Sequence, residues 1–148
     1  MYGELTRDQI DEVLEEGSIG RIGCQMQGKI HIVPINYVYD GTDIYANTLD
    51  GAKLRMMRSH PEVCFQVDQI ENHANWRSVL VWGRFQELTG DEASRAVDLL
   101  THKHIVMIAS GQSLHAMWEE DSVELPPDII VYRLHLTEKT GRFERSDL

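Results

Sequence analysis

The run Ile30 to Tyr39, IHIVPINYVY, is so rich in β-branched and aromatic residues that it reads as a strand. Asp40-Gly41 after it is a strong hairpin signal, leading into a second extended run from Asp43 to Asn47. Before it, Gln27-Gly28-Lys29 makes a turn out of Ser18 to Met26, where Ile22, Cys24 and Met26 share one face. Val63, Phe65 and Val67 alternate with Cys64, Gln66 and Asp68, again with the period of a strand. Val79 to Leu88 carries Gly83 as a bulge or close approach, and IIVYRLHL closes the series. The expected strands are 18–26, 30–39, 43–47, 62–70, 77–88 and 128–137, with a polar loop at 71–75. Consecutive hairpins with helices inserted at two places predict a mainly β domain spanning 1–148, a small six-stranded antiparallel barrel. Such a barrel is too narrow to hold a large ligand inside, so a sizeable one binds outside it or between subunits.

Pro34 in the middle of a strand requires an edge or a bulge, where no ladder bond is lost. Either place leaves backbone groups free for a ligand, and an edge strand without one fits equally well.

The helices are marked by their starts and stops. Thr6-Arg7-Asp8-Gln9 is a capping-box pattern, Ile10, Val13 and Leu14 follow at helical spacing, and Gly17 ends the segment. Thr89-Gly90-Asp91-Glu92 opens another, which Ala96, Val97, Leu99 and Leu100 carry to about Lys103. Residues 105–127 are harder to read: an apolar piece, Gly111, a helical pattern around 114–119, an acidic loop, then Pro126-Pro127.

Charge singles out the stretch between the third and fourth strands. The chain holds 14 basic and 24 acidic residues, yet residues 51 to 61 contain Lys53, Arg55 and Arg58 and no acid. Asn47-Thr48-Leu49-Asp50-Gly51 is a turn, and Thr48 or Asp50 is placed to cap a short helix that Ser59-His60-Pro61 ends. Free N–H groups at a helix start, with a lysine beside them, suit a phosphate monoester. The plainer alternative is a solvated amphipathic helix with Leu54 and Met57 facing inward.

The remaining features mostly exclude. A net charge of −10 argues against a general nucleic-acid binder. No run approaches the ~18 apolar residues of a membrane span, and the polar, acidic N-terminus is no signal peptide, so the expected location is cytoplasmic. Cys24 and Cys64 sit in apolar runs and read as buried thiols, not a disulfide framework. His102 and His104, with His115 and Glu119, do not make a metal set, because i and i+2 side chains on a helix point apart. Trp118 either reaches an interface, where it stacks on a partner's cofactor, or plugs the barrel end.

The order HIVPINYVYDGTDIYANT, GAK, HPEVCFQVD, WRSVLVWGRFQEL and VYRLHLTEKTGR resembles the FMN-binding split-barrel proteins of the pyridoxamine 5′-phosphate oxidase superfamily. The nearest branch is the nitroimidazole-resistance-like and predicted flavin-nucleotide-binding proteins, and the resemblance covers roughly residues 6–142. It implies a homodimer with FMN at the subunit interface. It places Lys53 on the phosphate, with Asn47 and Thr48 at the strand end meeting the ribityl phosphate. It sets Val33, Pro34, Ile35 and Asn36 along the flavin ring, and Trp76, Arg77 and Ser78 on the strand that covers the cofactor from the other side.

The chain departs from the pattern in three places. Gly51 and Ala52 stand where many members carry a further basic residue, and Tyr45-Ala46-Asn47 lacks the histidine usual in nitroimidazole-resistance proteins. The substrate-binding arginine and histidine of true pyridoxamine phosphate oxidases are absent as well. The resemblance therefore implies an FMN oxidoreductase passing electrons from a reduced nicotinamide to a small acceptor, with no catalytic side chain identified. A non-catalytic carrier or sensor holding flavin, haem or a deazaflavin is the alternative.

Overall fold

The computed structural model describes residues 1–109 and 129–146. Among them run β1 (Tyr2–Glu4), α1 (Arg7–Glu16), β2 (Ile19–Met26), β3 (Lys29–Asn36), β4 (Val38–Tyr39) and β5 (Asp43–Thr48). After these come α2 (Ala52–Ser59), β6 (Glu62–Asn72), β7 (Asn75–Glu87), α3 (Gly90–Ala109) and β8 (Ile130–Glu144). Every strand pairing is antiparallel, in the order β3-β2-β6-β7-β8-β5-β4, with β1 alongside the far end of β8. The sheet curls until β3 approaches β5, leaving a split where no ladder closes it. The expected antiparallel split barrel is the fold.

Local chemistry sets the turns. Gln27 and Gly28 both take positive φ, 53° and 76°, which matches the twist of the strands they join. Asp40 Oδ1 accepts from the amides of Thr42 and Asp43 at 2.9 and 2.7 Å, and Gly41 supplies the positive φ between them. Thr6 and Gln9 form the reciprocal capping box of α1. Gly83 marks a bulge: Trp82 pairs with Glu138 but Gly83 with Leu136, so Thr137 is left over and bonds the Trp82 carbonyl at 3.2 Å.

Strand extents differ from the sequence reading. Residues 30–39 form two strands broken at Tyr37, whose hydroxyl turns inward to donate to the Leu14 carbonyl at 2.7 Å. The loop at 71–75 shrinks to a tight turn, because Asn72 Oδ1 accepts from the Ala74 amide at 2.9 Å and lets β6 and β7 run on. β8 reaches Glu144 because β1 and β7 pair with its polar end. With β1 and β4 there are eight strands among the described residues, where six were expected.

One core fills the curl: Ile22, Phe65, Val79, Val81, Ile44, Tyr132 and Leu134, all buried on the inner face. α1 closes it with Ile10, Val13 and Leu14, and α2 with Leu54, Met56 and Met57. Each such large side chain contributes roughly 1.5–3 kcal/mol by leaving water. α3 covers the outer side of β4, β5 and β8 through a separate cluster of Val38, Tyr45, Leu88, Ala96 and Val131. No helix among the described residues is long and apolar enough to cross a membrane.

Candidate functional site

The start of α2 lacks the cap that Thr48 or Asp50 is expected to give. Ala52 is the first helical residue, so the cap position falls on Gly51, which has no side-chain oxygen. Thr48 Oγ1 instead donates to the Leu49 carbonyl at 3.0 Å, and Asp50 lies 3.9 Å from Arg55. The first turn of α2 holds no acid, and a Cβ placed on Gly51 would meet nothing within 4 Å. The helix start therefore presents free N–H groups and the positive end of its dipole with no side chain at the cap position to cover them.

Lys53 stands in that first turn, half-buried and, among the described residues, without an ion-pair partner. Burial lowers the pKa of its ammonium, against a smaller upward pull from Cys24. Cys24 is buried, its thiol donates to Met56 Sδ at 3.8 Å, and burial raises its pKa while Lys53 opposes the shift. Cys24 is thus a packed core thiol. Cys64, expected to be buried too, is half-buried on the outer face, because its partner Gly23 has no side chain to cover it. Asn47 and Thr48, at the end of β5, are half-buried and lead into the loop before α2.

β3 is an edge strand, which is how Pro34 is accommodated. Cross-strand partners share a face, so the pairings sort the remaining candidates. Val33 opposite Ile22 and Ile35 opposite Gly20 point into the core, whereas Pro34 and Asn36 are exposed on the outer face. Ser78 lies on that outer face as well, its hydroxyl 3.0 Å from Gln66 Nε2. Trp76 is also outside, giving its indole N–H to Glu144 at 3.1 Å with its ring edge-on to Tyr2. Arg77 is not with them: it points inward under α1, held by Gln69 Oε1 at 2.6 and 3.0 Å and 3.5 Å from Glu12. There it lines a cavity of about 500 Å³ with Gln9, Trp76 and Phe143.

The candidates thus form two groups. Asn47 pairs with Val131 at one end of β8, while Trp76 pairs with Glu144 at the other. That is about 43 Å of strand at ~3.3 Å per residue, before curvature. Trp118 and the helical pattern around 114–119 lie outside the described residues.

Sequence reasoning passed over Arg21. It is exposed on the outer face, directly between Pro34 of β3 and Gln66 of β6. The alternation of Ile22 and Cys24 inward already implies that Arg21 points outward, but only the pairing shows what it lies beside.

Residues 6–143 match the family described as pyridoxamine 5′-phosphate oxidase. An uncharacterised protein of Rhizobium meliloti is 28% identical over 145 residues, covering 93% of this chain and 92% of its own. The crystal structure of a FAD-binding protein from Mesorhizobium loti superposes with a TM-score of 0.72 at 28% identity, covering 97% of this chain and 98% of that one. The FAD-binding protein from Mycobacterium smegmatis gives a TM-score of 0.66 at 21% identity over 97% and 98%, a likeness of fold.

Proposed function

The chain belongs to the pyridoxamine 5′-phosphate oxidase family, and on that premise we propose that it binds FMN between two copies of itself and works as an oxidoreductase. The carrying observation is the uncapped start of α2 with Lys53 beside it. A half-buried ammonium with lowered pKa and no carboxylate partner gains most from a phosphate, which restores what burial costs the charge. The N–H groups of the same first turn supply further donors. Gly51 keeps the approach open, since its missing side chain is what leaves the space.

The ring then lies along β3, whose outer backbone groups have no strand partner among the described residues and suit a planar ring bearing donors and acceptors. The barrel interior is filled by its own side chains, so a second wall must come from outside. A second copy supplies it through the outer face carrying Trp76 and Ser78, the group that lies far along β8 from Lys53. When bound, a flavin provides two-electron chemistry, taking a hydride from a reduced nicotinamide and returning the electrons to a small acceptor. The protein holds the phosphate, orients the ring and excludes water from one side of it. The FAD-binding relatives support a flavin ligand; the monophosphate is our reading of the single lysine and open helix end.

The test is titration of apoprotein with FMN and with riboflavin, for wild type and Lys53→Ala. Loss of one charge-assisted phosphate contact weakens FMN by roughly 1.5–3 kcal/mol, while riboflavin binding stays unchanged. Equal losses for both ligands would remove Lys53 from the phosphate. Steady-state oxidation of NADH or NADPH by the holoprotein then separates an oxidoreductase from a carrier, which binds FMN and turns nothing over.

A further inference from the structure

We infer that Arg21 is a cofactor-contacting residue, its guanidinium meeting the acceptor-rich pyrimidine edge of the flavin ring. The inference rests on the flavin reading above and adds to it a residue that neither the motifs nor the relatives mark.

The argument begins with the neighbours of Arg21. On one side its cross-strand partner is Pro34, a residue set along the ring, and on the other it is Gln66, which is bonded to Ser78 at 3.0 Å. Directly opposed residues have Cβ atoms about 5 Å apart, well within the reach of an arginine. Arg21 therefore stands beside Pro34, the residue expected to border the ring, on the face that the second copy is proposed to cover.

Apolar side chains stand among its neighbours. Ile19 precedes it by two on the same face, exposed Ile32 lies opposite the next outward residue, Gly23, and half-buried Leu80 lies beyond Gln66. Among the described residues the Arg21 side chain has no hydrogen bond and no ion pair. The diagonal acid, Asp68, already accepts from the Gln66 amide. In a free monomer water solvates the guanidinium. Once a second copy covers this face, an unpaired cation there is costly unless an acceptor meets it.

The ring edge bearing N1 and the C2 carbonyl is such an acceptor, and it gains negative charge on two-electron reduction. A planar fork of N–H donors matches it better than a point charge would. In a chain of net charge −10 an anionic ring end needs a local cation, and Lys53 is committed to the other end of the cofactor. Positive charge beside N1 is also a recognised means of tuning a flavin.

The experiment compares wild type, Arg21→Gln, Arg21→Lys and, as a charge control, Arg95→Gln, exposed on α3. Apoprotein of each is titrated with FMN and with riboflavin, and the midpoint potential of the bound flavin is measured. Arg21→Gln is expected to weaken both ligands about tenfold, since the contact is to the ring. It should weaken the reduced form about tenfold more, which moves the midpoint about 30 mV more negative. Arg21→Lys should recover part of that shift, and Arg95→Gln should match wild type. Weakening of FMN alone would put Arg21 on the phosphate and overturn the assignment. So would unchanged binding and potential, including the case in which Arg21→Gln only loosens the dimer. Wild type that binds no flavin of either kind would instead remove the reading on which the inference rests.

Discussion

Lys139 Nζ meets Asp11 Oδ1 at 2.9 Å, joining the middle of α1 to β8 across 128 residues of chain. Tyr39 donates to the same carboxylate oxygen at 2.8 Å, so one acid holds together a helix and two strands. Burial alone would raise the Asp11 pKa, but its bonds to Lys139 and Tyr39 outweigh it and the net shift is downward. For Lys139 burial pulls down, and Asp11 and Tyr39 carry the pKa above its ordinary value. The stabilisation from Asp11 is therefore present above the ordinary carboxylate range and lost as pH falls through its lowered folded pKa. The part from Lys139 is present below about 10.4 and lost as pH rises through its raised folded pKa. Asp11→Ala should cost roughly 1–3 kcal/mol by leaving a partly buried ammonium unpaired. Chemical denaturation at pH 7 and pH 3 checks this: the gap between wild type and variant should narrow at pH 3.

Gly83 lies so close to β8 that a Cβ there would sit 2.8 Å from the His135 carbonyl oxygen. The obstacle is backbone in the middle of a paired strand, so it cannot swing aside as a side-chain tip does. Gly83→Ala should destabilise by roughly 1–3 kcal/mol and disturb the register shift at Thr137. Thermal denaturation reads the first effect, and amide exchange along β8 reads the second. Unchanged stability would mean that the bulge relaxes freely.

What the sequence made legible was whatever depends on neighbours in the chain. The hairpin turns at Gln27-Gly28 and Asp40-Gly41, the Thr6–Gln9 box and the alternation around Phe65 are local chemistry, and the structure holds each of them. The sequence reading of a phosphate site rests on the place where charge and a helix start coincide, and the structure does put Lys53 in the first turn of α2. β1 was not legible, because Tyr2–Glu4 has no pattern of its own and is a strand only by pairing with Arg142–Glu144. Nor was the break at Tyr37, which answers to a carbonyl on α1. Arg77 looked like a companion of Trp76 and Ser78, but alternation alone sends it to the other face, where Gln69 and Glu12 hold it. Arg21 gains meaning only from its neighbours on β3 and β6.

Lys103 answers a need at the end of α1, whose last turn carries no basic residue. Its ammonium donates to the carbonyls of Gly17 and Glu15 and lies 4.6 Å over the Tyr37 ring. Burial lowers its pKa to about 8. The fold thus disfavours the charged form, so this lysine's contribution to stability rises with pH between about 8 and 10.4 and is flat on either side. Relative to Lys103→Met, wild type should gain stability as pH rises from 7 to 10, and NMR of the Lys103 side chain should show a midpoint near 8. A midpoint above 10 would mean that the carbonyls fully compensate burial.

The outer face gives the proposed homodimer its strongest support. Among the described residues eight large apolar side chains stand exposed, and Tyr2, Ile19, Ile30, Ile32, Ile70 and Trp82 all lie on this one face. The pairings require it: Ile32, Gly23, Cys64 and Trp82 are successive partners across four strands, and Ile70, Trp76, Glu144 and Tyr2 across four more positions. Ile30 and Ile32 are 72% and 67% exposed, which a sheet face left in water does not favour. A second copy seated there would bury well over ~2,000 Å² in total, the size of an obligate interface. It would also bring Trp76 and Ser78 of one copy toward the ring site of the other. Ile32→Asp, at a side chain 67% exposed among the described residues, should therefore yield a folded monomer that has lost its flavin. Sedimentation velocity of wild-type holoprotein over a dilution series, read at protein and flavin wavelengths, provides the comparison. Wild type should remain a dimer that carries flavin and should release it only as it dissociates. A monomer that keeps its flavin on dilution would sink both the interface and the site built on it.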